Sequence, residues 1–411
     1  MSIKNKDSKK IISAMSLLLL FLSTVEAQAV FDITKYGAQA DEKTDCCEAV
    51  MSAWKEACAA GSSKVLIPKG TFLMGIVKLE GPCKGAMEIE LQGTLKAPAD
   101  PKAIKGEGWI PDHHRDHVDQ LTICGGGTFD GQGEAAWKAN DCKNGGEAPP
   151  MSLMLNCITN SVVKDVTSLN SKNFHVNVIG CEKLTFERFK IDAPGTSINT
   201  DGIHVGRSKE VTIIDTNIGT GDDCISIGDG TTDLKIEKVT CGPGHGGLAM
   251  ASAIGKFREV LKIEEPVCGE STLKIAHNHK VPIMAGTDNG VRIKSWPGME
   301  PGEATNIHFE DIVMNDVQNP VLIDQMYCPY NQCPSKDAPS KVKISDITFK
   351  NIKGTTTTPI AVQLSCSTGL PCEKVELADI DLVYSGSEGP AKSECTNVKP
   401  TITGKLSPAG C

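Results

Sequence analysis

Asn199-Thr200-Asp201, Gly221-Asp222-Asp223 and Gly244-His245-Gly246 recur at even intervals: Asp201 to Asp223 is 22 residues, and Asp223 to His245 is again 22. A step of 47, close to two such intervals, leads from His245 to Arg292-Ile293-Lys294. Two carboxylates one turn apart can share a task, because like charges raise each other's pKa and leave one protonated in mild acid. Cleavage of a glycosidic bond needs that division: one acid for the leaving oxygen, one base for water. Arg292 and Lys294 stand at i and i+2 of a strand and share a face. Facing carboxylates, they form a clamp for an anionic substrate, Arg as a fork and Lys as a point charge. The glycines beside His245 would let a sugar ring approach the backbone. Each motif alone has a plain alternative: a polar turn, a turn histidine, a solvated strand face. Their common register joins them into one candidate site.

Positioning them requires a repeating scaffold. Ile203 and Val205 are followed 22 residues later by Ile225 and Ile227, and a period of 20 to 50 residues marks a solenoid. At about 3.3 Å per residue, 22 residues make one turn of a parallel β-helix with short strands and tight corners. Residues one period apart then lie on adjacent rungs, about 4.8 Å apart. From Val65 onward short β-type runs alternate with Gly, Asn, Asp and Pro. Leu184-Thr185-Phe186, Val211-Thr212-Ile213 and Leu234-Lys235-Ile236 begin successive turns, and Ile307-His308-Phe309 and Val375-Glu376-Leu377 resume the pattern. Phe31 to Tyr36 reads as an opening strand. Asp45 to Ala60 reads as an amphipathic helix, with Ala49, Val50, Ala53, Trp54 and Ala57 on one stripe and Gly61 as its stop. An open β-helix exposes an apolar end, and this helix is the natural N-terminal cap. Gly247 to Gly286 shows little strand alternation and reads as helical. No Pro- or Ser-rich linker interrupts the runs, so residues 28–411 are expected to form a single all-β domain.

The chain has 411 residues with 40 Gly, 22 Pro and only 4% aromatics, a composition for strands and turns. Lys4, Lys6, Lys9 and Lys10 precede the apolar run Ile11 to Leu22, and small residues follow at Ala27 and Ala29. This is the layout of a secretory signal peptide over residues 1–27, too short in its apolar part for a transmembrane helix. Removing it takes away four Lys and two acids, so the net charge falls from −9 to −11. That balance argues against a nucleic-acid partner. All 17 cysteines lie in the remainder, which in an exported chain reads as several disulfides and at least one spare thiol. Proximity suggests Cys224 with Cys241, Cys328 with Cys333, Cys366 with Cys372, and Cys395 with Cys411. No Asn-x-Ser/Thr acceptor occurs. Three further patterns carry no function: Gly244 to Ala249 matches a nucleotide-binding pattern without a βαβ unit, and Gly125 to Gly131 is one mis-spaced calcium-like copy. His113, His114 and His117 lack a ligand set.

The four ordered motifs resemble those of glycoside hydrolase family 28, the polygalacturonases. Cys224-Ile225-Ser226-Ile227-Gly228 and Cys241-Gly242-Pro243-Gly244-His245-Gly246 are similar to plant members. The tail, Val375 to Tyr384 and Cys395-Thr396-Asn397-Val398-Lys399-Pro400, resembles pollen-type exopolygalacturonases. The resemblance implies a right-handed parallel β-helix and inverting hydrolysis of pectic polygalacturonate without metal or cofactor, by a secreted cell-wall monomer with no membrane partner. It implies Asp222 as general acid, Asp201 and Asp223 as holders of the attacking water, and His245 as tuner of the acid. Asn199 would support the site, Arg292 and Lys294 would bind a galacturonate carboxylate, and Tyr327 would complete the substrate site. The chain departs from the plant pattern after Gly246, at Gly247-Leu248-Ala249-Met250-Ala251-Ser252, and again before Thr287. Three rivals remain: an endo-acting enzyme, a calcium-dependent lyase on the same fold, and a pectin-binding wall protein inactivated by the altered 247–286 segment.

Overall fold

Short apolar runs separated by tight corners cannot bury themselves by pairing with their neighbours in sequence, so each pairs with the run one turn later. The computed structural model describes residues 28–104, 108–110, 118–140, 148–251, 273–275, 282–299, 301–331, 333 and 335–411, and the strand ladders among these residues are parallel. The basic and apolar start, the His113–His117 cluster and most of 247–286 lie outside the described residues. Ile203 pairs in register with Ile225, and Val205 with Ile227, as the 22-residue beat requires. The beat then lengthens: Ile225 pairs with Leu248, Leu248 with Val291, and Val291 with Val321. These strands hold only 3 to 6 residues, so most of the added length falls between them.

One face of the helix is a ten-stranded sheet among the described residues, running through Met151–Asn156, Val176–Ile179, Ile203–Gly206, Ile225–Ile227, Leu248–Ala251, Asn289–Lys294, Asn319–Asp324 and Ile360–Ser365. Two further faces merge because the long strand Gly302–Val317 bends round a corner. It pairs with Leu273–Ile275 through Ile307–Phe309 and with Ile283–Ala285 through Val313–Asn315. That corner is made by single left-handed residues, Asp165, Arg188, Asp215 and Lys238 on successive turns, each with φ near +50°. One such residue turns the chain without ending the ladder, and Asp tolerates it better than most. Inward positions form apolar stacks, including Phe186 on Phe189 and Phe309 on Phe349 at 5.2 Å between ring centroids.

The capping helix is Cys47–Ala60, and Ala49, Val50, Ala53, Trp54 and Ala57 are its buried residues. It starts two residues later than the periodicity suggested. Asp45 bridges Leu73 instead, and its carboxylate accepts from Cys47 N at 2.8 Å. The opening strand is Ala29–Asp32, not Phe31 to Tyr36. Asp32 accepts from Thr34 N and turns the chain into a 3₁₀ helix, Ile33–Tyr36, closed by Gly37 at φ +97°. The helical reading of 247–286 is also corrected: its described parts, Leu248–Ala251, Leu273–Ile275 and Ile283–Ala285, are strands. Leu248 takes the inward position that Ile225 and Val291 hold on adjacent turns, and ladder partners on both sides outweigh the helix propensity of an Ala- and Met-rich run. No helix among the described residues is long and apolar enough to cross a membrane.

All four expected disulfides are present, and a fifth, Cys58–Cys83, ties the capping helix to the loop behind it. Cys46 and Cys124 remain thiols. Burial pushes them up, to about 12 and about 11, so neither is a ready nucleophile. Cys224–Cys241 closes 17 residues directly behind Asp223. Replacing both by Ser is expected to lower the unfolding free energy by about 3 kcal/mol. Equilibrium denaturation checks this, and an unchanged midpoint would show the bond idle.

Candidate active site

Backbone ladders bring the motifs onto adjacent rungs. His175 N donates to Asp201 O at 2.8 Å, and Gly202 N donates to Asp223 O at 2.9 Å. Asp201 and Asp223 each stand two residues before a paired strand position, so they occupy one column. Thr200 and Ser197 hydroxyls accept from Gly221 N at 3.0 and 3.2 Å, locking the first turn to the second. Only glycine fits at 221, because any Cβ there would run into the Ser197 carbonyl. Asp222 turns back to accept from Asp223 N at 2.8 Å, which separates the two neighbouring carboxylates. One oxygen of Asp222, one of Asp223 and a ring nitrogen of His245 lie within 4.8 Å of one another.

Arg292 and Lys294 both reach Asp223. Arg292 Nη2 donates to Oδ1 at 2.7 Å, and Lys294 Nζ to Oδ2 at 2.9 Å. Their strand, Asn289–Lys294, is buried at every position, and Arg292 is only 4% exposed. They are therefore no solvated strand face. Tyr327 covers both, its ring centroid 5.7 Å from Arg292 Cζ and 5.2 Å from Lys294 Nζ, with Trp296 edge-on to it at 5.5 Å. On the opposite flank Asn199, at φ +59°, donates its amide to Asn173 Oδ1, and Asn173 in turn donates to Pro149 O.

The three carboxyls are driven apart in acidity. Asp201, 5% exposed, is pushed well above the usual carboxylate range by burial and by the charges of Asp222 and Asp223. Asp222 is raised by burial and by Asp223. Burial would raise Asp223 too, but the charges of Lys294 and Arg292, first among the opposing causes, hold this carboxyl low. One ionised carboxylate beside two that favour the proton is an acid–base set.

A family model described as glycosyl hydrolases family 28 matches residues 58–411. The chain belongs to glycosyl hydrolase family 28. It is 57% identical to an exopolygalacturonase of Oenothera organensis over 371 residues, covering 89% of this chain and 98% of that one. It is 51% identical to a polygalacturonase of Nicotiana tabacum, covering 96% of each. Among solved structures, the endo-xylogalacturonan hydrolase of Aspergillus tubingensis superposes with a TM-score of 0.74 at 20% identity, covering 91% of this chain and 99% of that one. The polygalacturonase of Erwinia carotovora ssp. carotovora gives 0.66 at 23%, covering 87% and 94%. At these identities the solved structures speak for the fold, a right-handed parallel β-helix.

The candidate site gathers Asp201, Asp222, Asp223, His245, Arg292, Lys294 and Tyr327, and the altered segment does not part His245 from Arg292. Arg292 Nη1 lies 3.4 Å from His245 Nε2. Two expectations change. The glycines beside His245 do not admit a sugar: a side chain on Gly244 would strike the Thr220 carbonyl, and one on Gly246 the Thr287 side chain. They serve close packing of turns. The cation pair, expected as a clamp for an anionic substrate, also holds Asp223 through both of its members. Sequence reasoning passed over Ser226 and His204. Ser226 hydrogen-bonds Asp201 and lies 2.9 Å from His204 Nδ1, and burial lowers that imidazole to about 4. Their outward places on the two strands that carry the 22-residue beat were the available signal. Asp324, one register step beyond Lys294 and raised by burial, was passed over too.

Proposed function

We propose that this family 28 chain is a secreted hydrolase of α-1,4-galacturonosyl bonds in pectic polygalacturonate, acting with inversion from non-reducing ends, with residues 1–27 an export signal and 28–411 one domain. The split acidity of Asp201, Asp222 and Asp223 on adjacent rungs carries the reading. Asp222, raised, gives its proton to the glycosidic oxygen. Asp223, held ionised, accepts the proton of the attacking water, and Asp201 hydrogen-bonds that water from the neighbouring rung. Arg292 and Lys294 occupy two lone-pair directions of Asp223 and leave two for water. Their remaining N–H groups and the Tyr327 ring form the anionic sugar site, and Asn199 buttresses its far side. Asp222, Asp223 and His245 also have the spacing of a cation site, but a metal there would sit beside Arg292 and Lys294, so the donor set fits metal-free hydrolysis better. The 57% identical relative named exopolygalacturonase supports chain-end attack. The long stretches 107–119 and 141–150, candidates for closing the groove, lie largely outside the described residues.

The test is hydrolysis of polygalacturonate with chelator present. Galacturonic acid is expected early while viscosity falls slowly, and proton NMR of the first product should show the β-anomer. A fast viscosity drop with mixed oligomers makes the enzyme endo-acting. An unsaturated ultraviolet-absorbing product that needs calcium makes it a lyase. Binding without any cleavage leaves the wall-protein reading.

A further inference from the structure

Behind His245 a second row of polar side chains climbs the same corner across three turns. Gly244 bridges Thr287, Asp288 N donates to Gly244 O, and Asn289 N donates to His245 O, both at 3.1 Å. The next turn repeats this, with Gln318 N on Thr287 O at 3.0 Å and Asn319 N on Asp288 O at 2.9 Å. The ladder sets the Asp288 carboxylate against the imidazole, Oδ2 lying 3.2 Å from His245 Nδ1. The other oxygen of Asp288 accepts from Gln318 Nε2 at 2.5 Å, so the carboxylate is held from both sides.

A carboxylate can only accept, so the ring proton facing it sits on Nδ1. Nε2 faces donors instead, Asn289 Nδ2 at 3.3 Å and Arg292 Nη1 at 3.4 Å. The Asn289 amide is oriented by its own oxygen, which accepts from Asn319 Nδ2 at 3.4 Å. Both ring nitrogens thus specify the same tautomer. Nε2 is also the atom turned to Asp223, 3.9 Å from its Oδ1.

We propose that Asp288, steadied by Gln318, is a positioning residue for the hydrolytic reaction: it pins the His245 proton on Nδ1 and keeps a bare Nε2 facing the Asn289 and Arg292 donors, beside the acid–base carboxylates. A hydrogen-bond partner that fixes the tautomer and tilt of a working histidine is a recurrent device. The proposal rests on the reading of His245 as part of the acid–base set. Nothing else among the described contacts holds Nδ1. Without Asp288 the ring can turn about its bond to Cβ and offer Nε2–H, a donor, against the donors of Asn289 and Arg292.

The experiment compares Asp288→Ala, Asp288→Asn, Gln318→Ala and the double Asp288→Ala/Gln318→Ala, each in the full mature chain. Nitrogen-15 histidine spectra, with His245→Gln to assign the signal, read the tautomer without substrate. Wild type is expected to show Nδ1–H, and Asp288→Ala a mixture. On polygalacturonate, Asp288→Ala should lose about 10–100-fold in kcat with KM within about twofold. Asp288→Asn, whose amide oxygen still accepts, should recover most of that loss. Gln318→Ala should lose less, and the double variant no more than Asp288→Ala alone. Wild-type kcat with an unshifted His245 signal in Asp288→Ala overturns the proposal. So do an Nε2–H signal in wild type, or equal losses in Ala and Asn variants that track a fall in melting temperature. A wild type that leaves polygalacturonate intact would instead remove the hydrolytic reading, while the tautomer spectrum would still report on Asp288.

Discussion

Asp222→Asn is expected to fold and to bind oligogalacturonate while losing about 10²–10⁴ of its turnover. The amide keeps the shape of the carboxyl, and its oxygen still accepts from Asp223 N, a bond of 2.8 Å in the native site. What it lacks is a proton to give. Burial and Asp223 hold the Asp222 carboxyl high, which keeps it protonated in mild acid, and no neighbour can replace it. Asp201, also raised, belongs to the other side of the reaction. Reducing-sugar release gives kcat, and calorimetry with a short oligogalacturonate gives binding. Turnover within tenfold of wild type would take the acid role away from Asp222.

Asp201→Asn should likewise lose about 10²–10⁴ in kcat, yet unfold at higher temperature than wild type at neutral pH. Burial, then Asp222 and Asp223, raises the Asp201 carboxyl above its unfolded value. A group raised on folding stabilises the fold below its unfolded pKa, about 3.9 for Asp, and that stabilisation is lost as pH rises through the folded value. Asn carries no charge and escapes the loss. The two melting curves should therefore diverge as pH rises and converge in acid. Asp222 acts in the same sense. Asp223 acts in the opposite one: its lowered pKa contributes stability above the unfolded value, which is lost as pH falls through the folded value. Wild type should accordingly be most stable in mild acid, between these two losses. Calorimetric scans across the acid-to-neutral range check this. A variant that melts below wild type at neutral pH, by an amount that shrinks in acid, would mean that Asp201 is held as a charged partner of Lys294. The expected trade of stability for activity is common where like charges are packed for chemistry.

Much of the site was legible in the sequence because a parallel β-helix converts spacing along the chain into a column. Asp201 and Asp223, like Ile203 and Ile225, are 22 residues apart and one rung apart, with no long-range guess required. The four local disulfides were legible for a similar reason, since short loops keep their ends close. Cys58–Cys83 was not, because one half lies on the capping helix and the other in a loop, with no common register. The helical misreading of Leu248–Ala251 has the same root. Four residues hold too little periodicity to declare a strand, and the ladders from Ile225–Ile227 and Asn289–Lys294 supply what the segment lacks.

By itself the sequence determined the solenoid, its capping helix and the identity of the charged groups on one face, because period and apolar alternation are local properties that strand geometry reads directly. The 43-residue step from Leu248 to Val291 is close to two 22-residue intervals yet makes a single rung, and only the tertiary structure decided that Arg292 and Lys294 both reach Asp223. It also separated the carboxyl acidities, raising Asp201 and Asp222 and lowering Asp223. Three aspartates look alike in a sequence, and their acidities separate only once burial and the distance to each cation are set by packing. The row behind His245 was hidden for the same reason. Asp288 and Gln318 are 30 residues apart, and their hydrogen bond exists only because two turns of different length stack at one corner.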